Sequence, residues 1–197
     1  MKLLRIFECM LLISFGISVY FIEDEFIRPL FDKTEINQLI NYCKHEGIYS
    51  KNRDYEKIVK TIHKYSELFE LDSYIVKGIC IRESECYQYS VNTNRHSKGF
   101  TLDIGVMQVN LYYWGDCIQE MDRMKKVLKN TNSLSAIRDV MFDIDHNIYM
   151  GCFILKSKLI EQKGNLYMAI ARYNGSKDIC LLYAQDVIRI ANELKGY

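Results

Sequence analysis

The sequence predicts a mainly helical α+β domain with a small hairpin or loop region beside a groove. Apolar residues recur at helical spacing through most of the chain after residue 34. Proline occurs only at Pro29, so long helices run uninterrupted. One long polar stretch, residues 89–102, stands between the helical segments. The chain has neither a glycine-rich phosphate loop nor an alternation of strands and helices, which disfavours a nucleotide-binding parallel sheet. At 197 residues the chain is long enough for one domain with a proper core and a short extension.

The elements follow in order. Lys2 and Arg5 precede an apolar run over residues 10–22 that ends at Glu23-Asp24-Glu25. Its length suits a secretory signal better than a membrane span, with Gly16 and Ser18 as small residues for cleavage and an uncleaved anchor as the alternative. Residues 34–45 carry Ile36, Leu39, Ile40 and Cys43 at helical period behind Asp32 as cap. A loop follows at 47–52. Residues 55–69 form the next helix through Ile58, Val59, Ile62 and Tyr65, and Asp72-Ser73 cap another that reaches about residue 86. Residues 89–102 read as a long loop or weak hairpin, uncommon in a compact domain without a function. After Asn110 an aromatic cluster, Tyr112-Tyr113-Trp114, opens an irregular stretch to about residue 132. Helices then cover 143–159, 166–172 and 181–194, with Asn174-Gly175 as a stop signal. Three regions are expected: 1–22 as signal or anchor, 23–54 as a helical extension, and 55–197 as the main domain.

Composition limits the partners. Net charge is +1 with basic residues scattered along the chain, so nucleic acid is not expected. Seven cysteines are present, and with Cys9 in the apolar run six remain: Cys43, Cys80, Cys86, Cys117, Cys152 and Cys180. An even number in an exported chain is compatible with disulfides, but the sequence does not choose among their connectivities. Small buried hydrophobes are the bland reading for several of them, Cys80 included. No close Cys or His pair has ligand spacing, so no metal is expected.

Three stretches carry chemistry. Cys80-Ile81-Arg82-Glu83-Ser84-Glu85 puts a carboxylate at the end of an apolar helix. A carboxyl held among apolar groups has its pKa raised and can act as a general acid near neutral pH. Gly105-Val106-Met107-Gln108-Val109-Asn110 is an apolar turn with amides, and Ala171-Arg172-Tyr173-Asn174-Gly175 pairs a phenol with another amide. Taken alone, Glu83 beside Arg82 would be surface decoration, and Tyr173 at helical spacing would be core. Glu85 is the rival carboxylate, but it would point about 200° away around a continuing helix.

Together the three stretches resemble the signature of the lytic transglycosylases that cleave peptidoglycan glycan strands. Glu83-Ser84 match the family's Glu-Ser pair, and Gly105-Val106-Met107-Gln108 is similar to its Gly-Leu-Met-Gln turn with Val in place of Leu. Tyr173-Asn174 match its Tyr-Asn pair, and Asn147 and Gly151 match two structural positions. The matches span roughly residues 56–180, with a somewhat longer loop between the first two motifs. The resemblance implies a lysozyme-like fold, no cofactor, and Glu83 as catalytic acid and then base. It also implies substrate binding by Ser84, Met107, Gln108, Asn110, Tyr173 and Asn174, the phenol of Tyr173 reaching the catalytic carboxyl or the acetamido group. The expected reaction cleaves between N-acetylmuramic acid and N-acetylglucosamine and leaves a 1,6-anhydro product.

Asp103 opens an alternative. A second carboxylate across the groove would suit a muramidase, in which water attacks; its bland reading is a turn residue. A non-catalytic scaffold that binds peptidoglycan is the third reading, disfavoured by the presence of an acid at Glu83. The small size leans towards members that open the wall locally for a secretion, conjugation or pilus apparatus. The expected location is the periplasm or cell envelope.

Overall fold

The computed structural model describes residues 33–96, 99–128, 133–175 and 180–196. The expected signal or anchor, 1–22, and the Asp32 cap lie outside them. Nine helices and three short strands are present among the described residues. In order they are α1 Lys33–His45, α2 Tyr55–Leu68, α3 Ser73–Ser84, β1 Val91–His96, β2 Gly99–Ile104, β3 Val109–Asn110, α4 Leu111–Glu120, α5 Asp122–Leu128, α6 Leu134–Met141, α7 Ile144–Glu161, α8 Leu166–Asn174 and α9 Cys180–Gly196. This is the mainly helical α+β architecture the sequence predicts.

Short polar side chains start the helices. Asp54 accepts from Lys57 N at 2.9 Å, Asp72 from Tyr74 N at 2.8 Å, and Asn165 from Met168 N at 3.1 Å. Asp143 takes two such bonds, from Asp145 N and His146 N. Each cap contributes about 1 kcal/mol by satisfying amides that have no partner inside the helix.

The core gathers around α7. Residues on every side of it are buried, from Ile144 and Ile148 to Phe153 and Leu155, as expected of a helix enclosed by neighbours. It packs against α2, α6, α8 and β3, while α3 lies between α2 and α9. Helix α1 closes the far side of α2 and α9 with Leu39, Tyr42 and Cys43, all buried. Its Glu35 meets the ammonium of Lys77 and the ring of His63, and the Lys77 side chain is 1% exposed.

Two local differences from the sequence expectation matter, and the weak hairpin it offered as one alternative for residues 89–102 is present. The polar stretch is an antiparallel hairpin, Val91 opposite Ile104 and His96 opposite Gly99, and β3 adds a third strand through Asp103 opposite Asn110. The region after Asn110, expected to be irregular, forms α4 and α5; Asn110 itself caps α4 by accepting from Tyr113 N at 3.1 Å. Helix α3 stops at Ser84 rather than near residue 86, because Glu85 and Cys86 turn left-handed at φ 52° and 63°. Among the described residues no helix is long and apolar enough to cross a membrane.

Candidate active site

Glu83 occupies the last turn of α3, the helix packed between α2 and α9. Arg82, the neighbour that could have neutralised it, turns outward to Asp186 at 3.5 Å and lies over the Tyr183 ring. Glu83 is left facing inward, partly buried, with Oε1 accepting a 2.6 Å hydrogen bond from the Tyr183 hydroxyl. Burial pushes its carboxyl up to about 7. Asp103 adds to the rise by repulsion, while the Tyr183 hydrogen bond and Arg82 oppose it. A carboxyl in this state is shared about equally between its protonated and ionised forms at neutral pH, the property needed of a group that acts first as acid and then as base. Glu85 lies on the left-handed turn, exposed, and binds Arg53 at 3.2 Å outside the groove.

The turn at 105–108 is welded beneath this carboxyl. Gly105 has φ 80°, and a Cβ there would run into the Asn147 amide and sit 2.7 Å from Met141 O, so only glycine fits. Asn147, 1% exposed, accepts from Met107 N at 2.7 Å and donates to Ile104 O at 2.8 Å and Met141 O at 2.9 Å. Gly151 leaves the space that Met107 fills: a Cβ there would approach the Met107 side chain to 2.7 Å. These two α7 positions, read from the sequence as structural, hold the turn in place.

The structure assigns the other expected binding residues less to open groove than to this scaffold. Ser84 donates to Val106 O at 2.8 Å, pinning the end of α3 to the turn. Met107 is fully buried against Gly151 and does not line the cleft. Gln108, at φ 47°, is almost fully buried. Its amide donates to Gly105 O at 2.8 Å and Ser90 O at 3.2 Å and accepts from Asn92 at 2.7 Å. Asn174 is exposed at the end of α8. Tyr173 does not bond the Glu83 carboxyl: α8 aims its hydroxyl at Met107 O, 2.7 Å away. Burial, and after it the proximity of Glu83, hold that phenol protonated.

Asp103 is the penultimate residue of β2, where the amides of Asn94 and Asn110 both donate to its carboxylate. It is close enough to Glu83 to raise that carboxyl. Bonds to two side-chain amides, across the hairpin and across to β3, are more than a turn residue capping its own backbone would make.

Tyr183 is the functional residue that the sequence reading missed. It lies in the apolar stripe of α9 with Ala184, Val187, Ile190 and Ala191 and reads as core. Its hydroxyl is the one polar atom in that stripe, and a buried phenol calls for a partner; that was the available signal.

A partly buried acid with a raised pKa, backed by a glycine turn and facing a second carboxylate, defines a site of the glycan-cleaving class on a lysozyme-like fold. The comparison with protein families agrees: residues 60–179 match the transglycosylase SLT domain, and the chain belongs to that family. Its members are lytic transglycosylases, and peptidoglycan is their substrate. Neither the curated proteins nor the solved structures yield a match.

Proposed function

We propose that this chain is a peptidoglycan lytic transglycosylase that cleaves between N-acetylmuramic acid and N-acetylglucosamine and releases 1,6-anhydro-muropeptides. The observation that carries the reading is the Glu83 carboxyl, enclosed, raised to about 7, and held by Tyr183 at 2.6 Å. Protonated Glu83 gives its proton to the glycosidic oxygen as the C1–O bond breaks. The oxocarbenium-like centre is stabilised by the substrate's own acetamido oxygen. The Glu83 carboxylate, steadied by the Tyr183 hydroxyl, then takes the proton of the muramic C6 hydroxyl, whose oxygen closes on C1. The residues that touch substrate are Glu83, the groove edge at Asp103 and Asn110, and Asn174. Exposed Tyr87, Tyr89, Tyr112 and Tyr113 offer ring faces for sugars on the segments that follow Glu83 and Asn110.

The working location of this reading is the cell envelope, reached through the 1–22 segment, and the small domain suits local opening of the wall for a secretion, conjugation or pilus apparatus. That last step is analogy with specialised members of the family.

A muramidase is the second reading, and the position of Asp103 favours it: a carboxylate near enough to raise Glu83 can assist attack by water. Mass spectrometry of fragments released from purified peptidoglycan separates the two. Anhydro ends support the transglycosylase, and reducing ends replace it with the hydrolase. A folded protein that releases nothing from the wall removes both in favour of a binding scaffold.

A further inference from the structure

Behind Glu83 lies a group of three buried thiols that the proposed reaction does not use. Cys80 stands three residues before Glu83 on α3, Cys86 ends the left-handed turn after the helix, and Cys43 comes from α1. They are 0%, 1% and 0% exposed. The Sγ atoms of Cys80 and Cys86 are 3.3 Å apart, and the Cys43 thiol also bonds to Cys86. Cys86 N–H donates to Cys80 O at 3.3 Å, so the two residues are joined through backbone as well. This bond reaches one residue further than the six-to-one bond with which helices commonly close, and the left-handed positions are filled by Glu85 and Cys86 rather than glycine. L side chains adopt that conformation at a cost. What the turn achieves is to carry the Cys86 sulfur back to that of Cys80.

We propose that Cys80 and Cys86 are joined by a disulfide in the mature protein, closing a loop over residues 80–86 that contains Glu83 and Ser84. The thiolate of one cysteine attacks a disulfide donor, R–S–S–R, and releases R–SH. The second thiolate attacks the resulting mixed disulfide and releases another R–SH. Two thiols lose two electrons and two protons, and the donor takes up both. A disulfide needs the sulfurs at about 2.05 Å, a closing movement of roughly 1.3 Å shared between two side chains. The bonds among the three sulfurs, and burial after them, hold the Cys43 and Cys86 thiols protonated in the folded chain, so the disulfide forms before the core closes and is inert afterwards. The donor belongs to an oxidising compartment, and to that extent the inference rests on the envelope location proposed above. The bond fixes the helix end that aims Glu83, and Cys43 remains a thiol.

The test uses the full chain, refolded from denaturant and reductant into a buffer of reduced and oxidised glutathione. After acid quench, the protein is alkylated in denaturant and cut with trypsin without reduction. Cleavage after Lys33, Lys44, Lys77, Arg82 and Arg95 separates the three cysteines: Cys43 in 34–44, Cys80 in 78–82 and Cys86 in 83–95. The expected product links 78–82 to 83–95, and oxidised protein melts on the order of 5–10 °C above the reduced form. A link between 34–44 and 83–95, or full alkylation of all three cysteines, overturns the proposal. Because the donor is supplied, a negative map falls on the disulfide itself. The envelope reading is tested separately, by the thiol state of protein recovered from cells.

Discussion

The hydroxyl of Tyr183 donates a 2.6 Å hydrogen bond to Glu83, joining the start of α9 to the end of α3 across 100 residues of chain. That bond favours the charged form of a carboxyl which burial otherwise keeps neutral. It balances the two states that the reaction uses in turn. Tyr183→Phe removes the balance: Glu83 holds its proton to higher pH and returns less readily to the base form. The alkaline limb of the rate profile is predicted to move upward and the rate at neutral pH to fall about 10–100-fold, the value of a hydrogen bond to a charged group. A pH profile of muropeptide release, wild type beside variant, checks both effects; an unmoved limb would remove Tyr183 from the account.

The wild-type profile itself has a predicted shape. Glu83 must be protonated to donate, so activity falls as pH rises through about 7. Initial rates between pH 5 and 9 measure this, and a rate that stays flat to pH 9 would contradict it.

The same carboxyl costs the fold stability. Its proton is bound more tightly in the folded chain than in the unfolded one, so stability is full below pH 4.5 and declines as pH rises to about 7. A rise of that size is worth about 3 kcal/mol at its plateau. Glu83→Gln keeps the shape and deletes the charge. It is predicted to be inactive, equal to wild type in stability at pH 4, and more stable by roughly 1–3 kcal/mol at pH 8. Denaturant unfolding at the two pH values gives the comparison.

Much of this site was legible in the sequence, for a physical reason. The acid is a Glu on an apolar helix, and Gly105, Asn147 and Gly151 are special because of what their side chains lack or bond, so residue type alone marks them. The Tyr183–Glu83 bond and the backbone contacts of Ser84 and Gln108 were not legible, because a hydroxyl or amide carries no sign of whether it faces sugar or backbone. Helices α4 and α5 were missed because Asn110 reads as the tail of a motif rather than as a cap, and the sequence alone does not separate the hairpin from a long loop because its strands are short and polar. The left-handed Glu85–Cys86 turn was hidden by the absence of glycine.

Asn147 is predicted to be the least replaceable polar residue of the fold. Asn147→Leu leaves Met107 N–H, Ile104 O and Met141 O without their buried partner. The expected cost is about 3–5 kcal/mol, and Glu83 loses its support together with stability. Urea unfolding of the variant measures it, and a loss under 1 kcal/mol would mean that the turn is held by other contacts.

The docking of α1 depends on the Glu35–Lys77 pair. Glu35→Gln leaves an ammonium with 1% side-chain exposure facing a neutral amide and is predicted to cost about 3–5 kcal/mol. Glu35→Leu with Lys77→Met removes both charges and is predicted to restore most of that. The folded chain holds the Glu35 carboxyl below its ordinary value, so its contribution is present above pH 4.5 and is lost as pH falls below that. Thermal unfolding of the single and double variants between pH 3 and 7 checks the order.

The central claim is that the fold keeps Glu83 protonated near neutral pH, and a carbon-13 NMR titration of its side-chain carboxyl tests it most directly. The account predicts a midpoint of about 7. A midpoint near 4.5, the ordinary value for a glutamate, would contradict it and leave the site without its acid.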